Sequence, residues 1–302
     1  MTFTLLAVGL AFGLLARRFR WVGPSTPQRI NTFIINAALP AVILLKVPAL
    51  ALDFNAIAPV AAAWGVILFS AAVVWICSRA LGWSSNVTGA LLLVAPLSNS
   101  AYLGVPLLDA LFDDTVVAYG AFYDQFGNFL ALVIYASIVI ALYSQVPGER
   151  AVDRLFRMVR QVITFVPFPV LMVAIFLMDA TTLPAIVVGP LSVLGSLMGP
   201  LAAFIVGFAL RFRVPQSLRL PLSIGVLTRL ILAPLLVYGV ARTLDVSAPA
   251  MTASVMQAAM PSMITAGLIG IKAGFSERLI VAMLSVTTVL SVLTVLLWQS
   301  IL

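Results

Sequence analysis

The sequence predicts an all-α integral membrane protein of ten transmembrane helices, built as two inverted five-helix repeats in which helices 4 and 9 are broken and cross. Three observations carry that expectation. The composition is too apolar for a water-soluble domain, hydrophobic runs of spanning length recur along the chain, and two proline-interrupted runs occupy matching places in its halves.

Of 302 residues, 63% are hydrophobic and 9% charged, and the mean hydropathy is +1.17; soluble domains carry about 25% charged residues. Histidine is absent and Cys77 is the single cysteine. Disulfides, His/Cys metal sites and imidazole proton chemistry are thereby excluded. No cofactor or metal is expected, and any coupling ion, H+ or Na+, would have to use carboxylates or carbonyls. The net charge of +7 does not point to nucleic acid. The basic residues fall between hydrophobic runs, where they orient a chain in the lipid bilayer. Enzymatic function is not expected either: there is no intramembrane Gly-x-Gly-Asp motif, no histidine base, and no soluble segment long enough for a catalytic domain.

At about 20 apolar residues per crossing, helices are predicted over 2–16, 28–50, 56–79, 86–111, 114–143, 158–178, 184–210, 219–243, 249–272 and 278–301. The first is short, about 22 Å at 1.5 Å per residue. Arg17, Arg18 and Arg20 follow it instead of preceding it, and no small-residue cleavage site is present, so it reads as an uncleaved span rather than a signal peptide. Alternate loops collect 14 of the 17 Lys and Arg, from Arg17, Arg18, Arg20 and Arg29 through Arg79, Arg150, Arg154, Arg157, Arg160, Arg211, Arg213 and Arg219 to Lys272 and Arg278. The opposite face holds Arg242, Lys46 and the acids Asp53, Asp109, Asp113, Asp114, Asp179 and Asp245. Basic loops stay cytoplasmic, which predicts both termini outside and the 144–161 connection inside.

That connection separates a first repeat, 1–145, from a second, 146–302. The halves align with an offset of 160 to 163 residues: Pro40 falls on Pro200, Leu81 and Ser84 on Leu244 and Ser247, Gly104 on Gly267, Phe112 on Phe275. Five helices per half is odd, so the halves must be inverted.

The two proline-interrupted runs are Leu91 to Leu111 and Ser254 to Gly274. In hydrocarbon, a helix is broken only where protein or a water-filled cavity receives the freed backbone groups, so a matched pair of breaks points to a binding site. Helix 4 is expected to break over Ser98 to Val105 and restart at Pro106, helix 9 to break near Ala259 and restart at Pro261. Proline suits a first helical position because its missing N–H would have been an orphan. The restarted halves enter from opposite sides, their positive ends converge, and an anion is the natural guest. The candidate substrate contacts are Ser98, Asn99, Ser100, Gly104 and Pro106 at one break and Gln257, Pro261, Ser262 and Thr265 at the other. Asn99 can donate two hydrogen bonds to a carboxylate. The plainer alternative is that the prolines only kink packed helices and the hydroxyls bond back to the preceding turn.

Asp124 lies near the middle of helix 5, with Asn128 one turn away on the same face. A charge there costs at least about 2.5–3.5 kcal/mol, so it must face a cavity or partner. It is a candidate proton carrier or, with freed carbonyls, a Na+ ligand; equally, it could pair with Arg229 or a helix-break N–H and lock the bundle. Arg229, equally expensive in helix 8, could draw in an anion, cap a broken helix or neutralise Asp124. Gly195 and Gly199 form a GxxxG pattern in helix 7 that permits close helix approach.

Four segments, Ile30 to Leu44, Ser98 to Leu108, Leu227 to Val237 and Met256 to Gly267, resemble the auxin efflux carrier family, which includes plant PIN proteins and bacterial permeases. The resemblance covers nearly the whole chain and keeps the family's order. It implies the crossed-helix fold shared with bile acid:sodium symporters, and NhaA-like, with organic anions moved by an elevator-like mechanism. Helices 1, 2, 6 and 7 would be the scaffold, helices 3–5 and 8–10 the moving domain, and Asn99 the counterpart of a substrate-contacting Asn. Helix 7, as scaffold, would make Gly195 and Gly199 candidates for a homodimer interface, with packing inside the chain the commoner use of a lone GxxxG. The plant members' long cytoplasmic loop is missing, and Ala58 and Pro59 stand where plant members carry charge, so auxin itself is not implied. The functional expectation is a transporter of small organic anions in the plasma membrane, for which malate, malonate and other carboxylates would all suit two helix ends and an Asn. The alternatives are an ion antiporter using Asp124, or a non-transporting scaffold or sensor. The compact loops and the preference for Arg over Lys fit a bacterial inner membrane.

Overall fold

The computed structural model describes residues 2–23, 25–49, 54–144, 160, 163–177, 183–209 and 215–302. The predicted 144–161 connection and Asp53, Arg150, Arg154, Arg157, Asp179, Arg211 and Arg213 lie wholly or largely outside the described residues. The rest is helical: α1 (Thr2–Arg18), α2 (Thr26–Lys46), α3 (Phe54–Ala80), α4 (Ser85–Val94), α5 (Ser100–Leu111), α6 (Asp114–Tyr143), α7 (Pro167–Phe176), α8 (Ile186–Phe208), α9 (Gln216–Thr243), α10 (Ala248–Ala258), α11 (Ile264–Lys272) and α12 (Glu277–Ile301). Six of these, α2, α3, α6, α8, α9 and α12, are long and apolar enough to cross a membrane. Large apolar side chains such as Leu142, Phe176, Ile186 and Leu293 are exposed on the outside. Lipid is the solvent that suits such a surface.

Proline is accommodated inside the long helices by widening the turn before it. The N–H of Leu39 reaches Ile34 O, that of Val105 reaches Ser100 O and that of Ala233 reaches Thr228 O, each spanning five residues immediately before Pro40, Pro106 and Pro234. A proline ring collides with the carbonyl four residues back, and a π turn moves that carbonyl aside. A fourth π segment, Tyr123–Phe129, has no proline after it and contains Asp124 and Asn128. At the start of α6, Asp113 Oδ1 accepts the N–H groups of Thr115 and Val116 at 3.0 and 3.1 Å, an N-cap.

The closest helix seam joins α1 to α8. A Cβ at Gly9 would stand 2.7 Å from Pro200 O, one at Gly13 would strike Phe204 O, and one at Gly207 would strike Leu10 O. Backbones approach this closely only across glycine. Arg17 closes the seam, donating to Phe208 O at 3.3 Å. Gly195 instead faces α2, where its Cβ position is 3.2 Å from Val42 Cγ2, a contact within the chain. At one end of the bundle Lys46 of α2 bridges Asp109 of α5 at 3.2 Å and Asp114 of α6 at 2.6 Å.

Candidate functional site at the helix crossover

The chain leaves α4 after Val94 and α10 after Ala258, and the unwound stretches 95–99 and 259–263 cross. They pair through a single antiparallel bridge, and each extended stretch is called a strand below. Ser98 bridges Ser262, the N–H of Asn99 donates to Pro261 O at 2.7 Å, and the N–H of Met263 donates to Leu97 O at 2.9 Å. Thus each break satisfies backbone groups freed by the other, as burial away from water requires. Side chains take others: the N–H of Ser98 reaches Asn128 Oδ1 at 3.4 Å and that of Ser262 reaches Thr287 Oγ1 at 3.1 Å.

The second break begins at Ala259, where it is expected, but the first break and both restarts lie elsewhere than proline placement predicts. The first spans 95–99, not Ser98 to Val105, because Pro96 ends the α4 ladder while the π turn keeps Pro106 inside α5. In the second, the helix restarts at Ile264, not at Pro261, whose carbonyl is committed to Asn99. Asn99 and Ser98 therefore belong to the strand rather than to the start of a helix.

Arg229 is fully buried in a π turn of α9, and its hydrogen-bond partners are backbone carbonyls. Its Nη1 donates to Pro96 O at 2.7 Å and Ala95 O at 3.3 Å, and its Nη2 donates to Ala258 O at 2.5 Å. One guanidinium thus caps the carbonyl ends of both α4 and α10, where the helix dipoles are negative. It makes no ion pair with Asp124; the buried hydroxyl of Tyr123 is its other neighbour, and that hydroxyl also meets Ser98.

Asp124 instead faces the start of α5. Its Oδ1 accepts from Ser100 Oγ at 2.5 Å and its Oδ2 from Gln125 Nε2 at 2.6 Å. Asn128 Nδ2 donates to Ser98 Oγ at 2.5 Å and to Ser100 Oγ at 2.7 Å. The π turn brings Asp124 and Asn128 onto one side, as their spacing predicts, so both hold the strand that carries Asn99.

Several polar atoms here are buried without a partner: Asn99 Nδ2, Ser262 Oγ, Gln125 Oε1, Gln257 Oε1 and Arg229 Nε. Such orphans are expensive, at about 1–3 kcal/mol each. Gln257 of α10 reaches between two glycines: its Nε2 donates to Gly120 O at 3.1 Å, and its Oε1 lies against Gly104, where a Cβ would collide with it. Gly104 is therefore a packing requirement for Gln257. Thr265 meets the Tyr102 hydroxyl, which also reaches Asn31 of α2. Beside the crossover a cavity of about 210 Å³ lies between α1, α5, α8 and α12. Met260 and Pro261 form part of its wall, Leu103 and Leu107 another part, and Thr288 and Ser291 supply its hydroxyls.

The sequence matches the family described as Membrane transport protein over residues 1–154 and 155–299. The chain belongs to this family, that of the auxin efflux carriers. It is also 24% identical over 288 residues to an uncharacterized transporter of Methanothermobacter thermautotrophicus, covering 93% of this chain and 91% of that relative. This is a multi-pass membrane transporter and not an enzyme. In this transporter, sequence reading missed Tyr123 and Gln125, which flank Asp124 and so were within sight, and Tyr102, which has no pattern to mark it. It also passed over the Gly9 and Gly13 spacing of α1 in favour of Gly195 and Gly199.

Proposed function

We propose that this transporter carries small organic anions, carboxylates in particular, bound at the crossover of α4/α5 with α10/α11. The observation that supports this most directly is the pair of orphan donors, Asn99 Nδ2 and Ser262 Oγ, on strands bridged at Ser98 and Ser262. The first turns of α5 and α11 adjoin those strands, and their free N–H groups favour negative charge. A carboxylate would accept from both orphans. In the conformation described, Asn99 is 1% exposed, and Ser262 lies one residue behind the cavity wall at Pro261; the site is closed. Opening by an elevator-like slide of α3–α6 and α9–α12 against α1, α2, α7 and α8 fits two observations. The cavity lies along that boundary, and the Lys46 bridges to Asp109 and Asp114 cross it. The distribution of basic residues favours both termini outside, and the preference for Arg over Lys with compact loops fits a bacterial inner membrane.

The test is thermal stabilisation of detergent-purified protein by a panel of organic anions, wild type against Asn99→Ala. A ligand of the folded state at a hundred times its Kd adds about 2.7 kcal/mol. A carboxylate shift lost in the variant supports the reading. Absence of any shift, together with no saturable carboxylate flux in liposomes, sinks it.

A further inference from the structure

We propose that Asp124 is the site where this transporter binds and releases a coupling proton, and that Ser100 passes the protonation state to the crossing strand. The inference rests on the carrier reading above and assigns its energy source.

Asp124 is buried, and among the described residues no Lys or Arg lies within ion-pair distance of it. The groups that face it are Tyr102 from α5, Tyr123 from its own helix, and Arg229 behind Tyr123, whose guanidinium is committed to carbonyls. From α7 and α10 no charged residue is available, and the one on α3, Arg79, is at that helix's far end. On α5 the one charged residue, Asp109, is at the opposite end, paired with Lys46. A lone carboxylate at such depth is costly when ionised, and taking up a proton relieves that cost.

Asp124 keeps hydrogen-bond partners in both states. Ionised, Asp124 accepts one donor on each oxygen, from Ser100 and from Gln125. A carboxylate can only accept, and it sits at the first turn of α5, where negative charge is favoured. Protonated on Oδ1, it donates to Ser100 Oγ, and the Ser100 proton turns to a second acceptor already in place, Ser98 O at 3.5 Å. Protonated on Oδ2, it donates to Gln125 Oε1 once that amide turns over, which places Nε2 where Oε1 now lies without a partner. The proton arrives from water on one side, forms the O–H bond on Asp124, and leaves to water on the other. Ser98 is the residue bridged to Ser262, so the direction of one hydroxyl reports the state of Asp124 to the strands that carry the orphan donors. A metal cation fits less well, because the side chains around Asp124 are in direct hydrogen-bond contact and would have to part to admit it.

Two measurements on the reconstituted full chain test this. Infrared difference spectra between acidic and alkaline buffer should contain a protonated-carboxyl C=O stretch that is lost in Asp124→Asn and shifted in Ser100→Ala. In liposomes with the membrane potential clamped, labelled malonate accumulation with a pH gradient is divided by that without one. One proton per substrate supports up to about tenfold accumulation per pH unit; wild type should show a ratio of several-fold and Asp124→Asn a ratio of one. Identical infrared changes in wild type and Asp124→Asn overturn the proposal, as does a wild-type ratio of one when malonate self-exchange is present. Failure of malonate exchange altogether counts against the carrier reading for this anion, while the infrared result still decides the proton site.

Discussion

Replacing Arg229 by Met would remove the shared cap of the two broken helices while keeping much of its apolar volume. Three carbonyls, Ala95 O, Pro96 O and Ala258 O, lose their guanidinium donors. Hydrogen bonds between membrane helices contribute about 0.6 kcal/mol on average and about 1.7 at most, and a cation at a helix C-terminus adds about 0.3–1 kcal/mol. Removing the buried charge returns part of its desolvation cost. The expected loss is therefore about 2–5 kcal/mol, read as a lower midpoint in reversible SDS unfolding in mixed micelles. Arg242→Ala, at an exposed position, should change stability by no more than about 0.5 kcal/mol. Arg229→Lys should fall between, because one ammonium replaces a fork that reaches both breaks. If Arg229→Met costs under about 1 kcal/mol, the guanidinium is not what holds the carbonyl ends together, and the account of the crossover as a capped joint is wrong.

Three other perturbations have defined outcomes. Gly104→Ala places a methyl against Gln257 and should destabilise by about 1–3 kcal/mol; in the double variant with Gln257→Ala most of that loss should vanish, measured as a coupling energy in the same unfolding assay. Asn99→Ala removes an amide whose nitrogen has no partner, so stability without ligand should stay within about 1 kcal/mol of wild type, whereas carboxylate-induced stabilisation is lost. Lys46→Cys with Asp114→Cys, in a Cys77→Ser background and bridged by a short bis-maleimide, should stop flux and leave ligand binding measurable; undiminished flux would mean that α2 does not slide against α6.

The legible part of this protein was whatever physical necessity writes into spacing and composition. Lipid exposure shows in the apolar runs, and the rarity of charge within them singled out Asp124 and Arg229, both of which the structure places at the crossover. What could not be read was how backbone groups are exchanged between distant segments. Pro106 looks like a restart, but a widened turn, Val105 to Ser100, keeps it inside its helix. Pro261 looks like another, but its carbonyl is taken by Asn99, 162 positions away. The partner of Arg229 was undecidable for the same reason, since carbonyls leave no residue-type signal. Gly9 and Gly13 carry the same GxxxG signal as Gly195 and Gly199, and only the three-dimensional seam tells that Gly9 and Gly13 meet a backbone, at Pro200 and Phe204, while Gly195 meets the Val42 side chain.

The α1 to α8 seam also sets a timetable for biogenesis. Its glycine faces belong to segments separated by about 190 residues, as the Arg17 bond to Phe208 records. At roughly 5–20 residues per second of synthesis, α1 waits on the order of 10–40 s in the bilayer before its counterpart emerges from the ribosome. Throughout that interval a helix with a notched, half-finished side is free to meet the wrong neighbour, including the α1 of another nascent chain. Zippering the first helix to a late one thus has to follow synthesis of nearly two thirds of the chain.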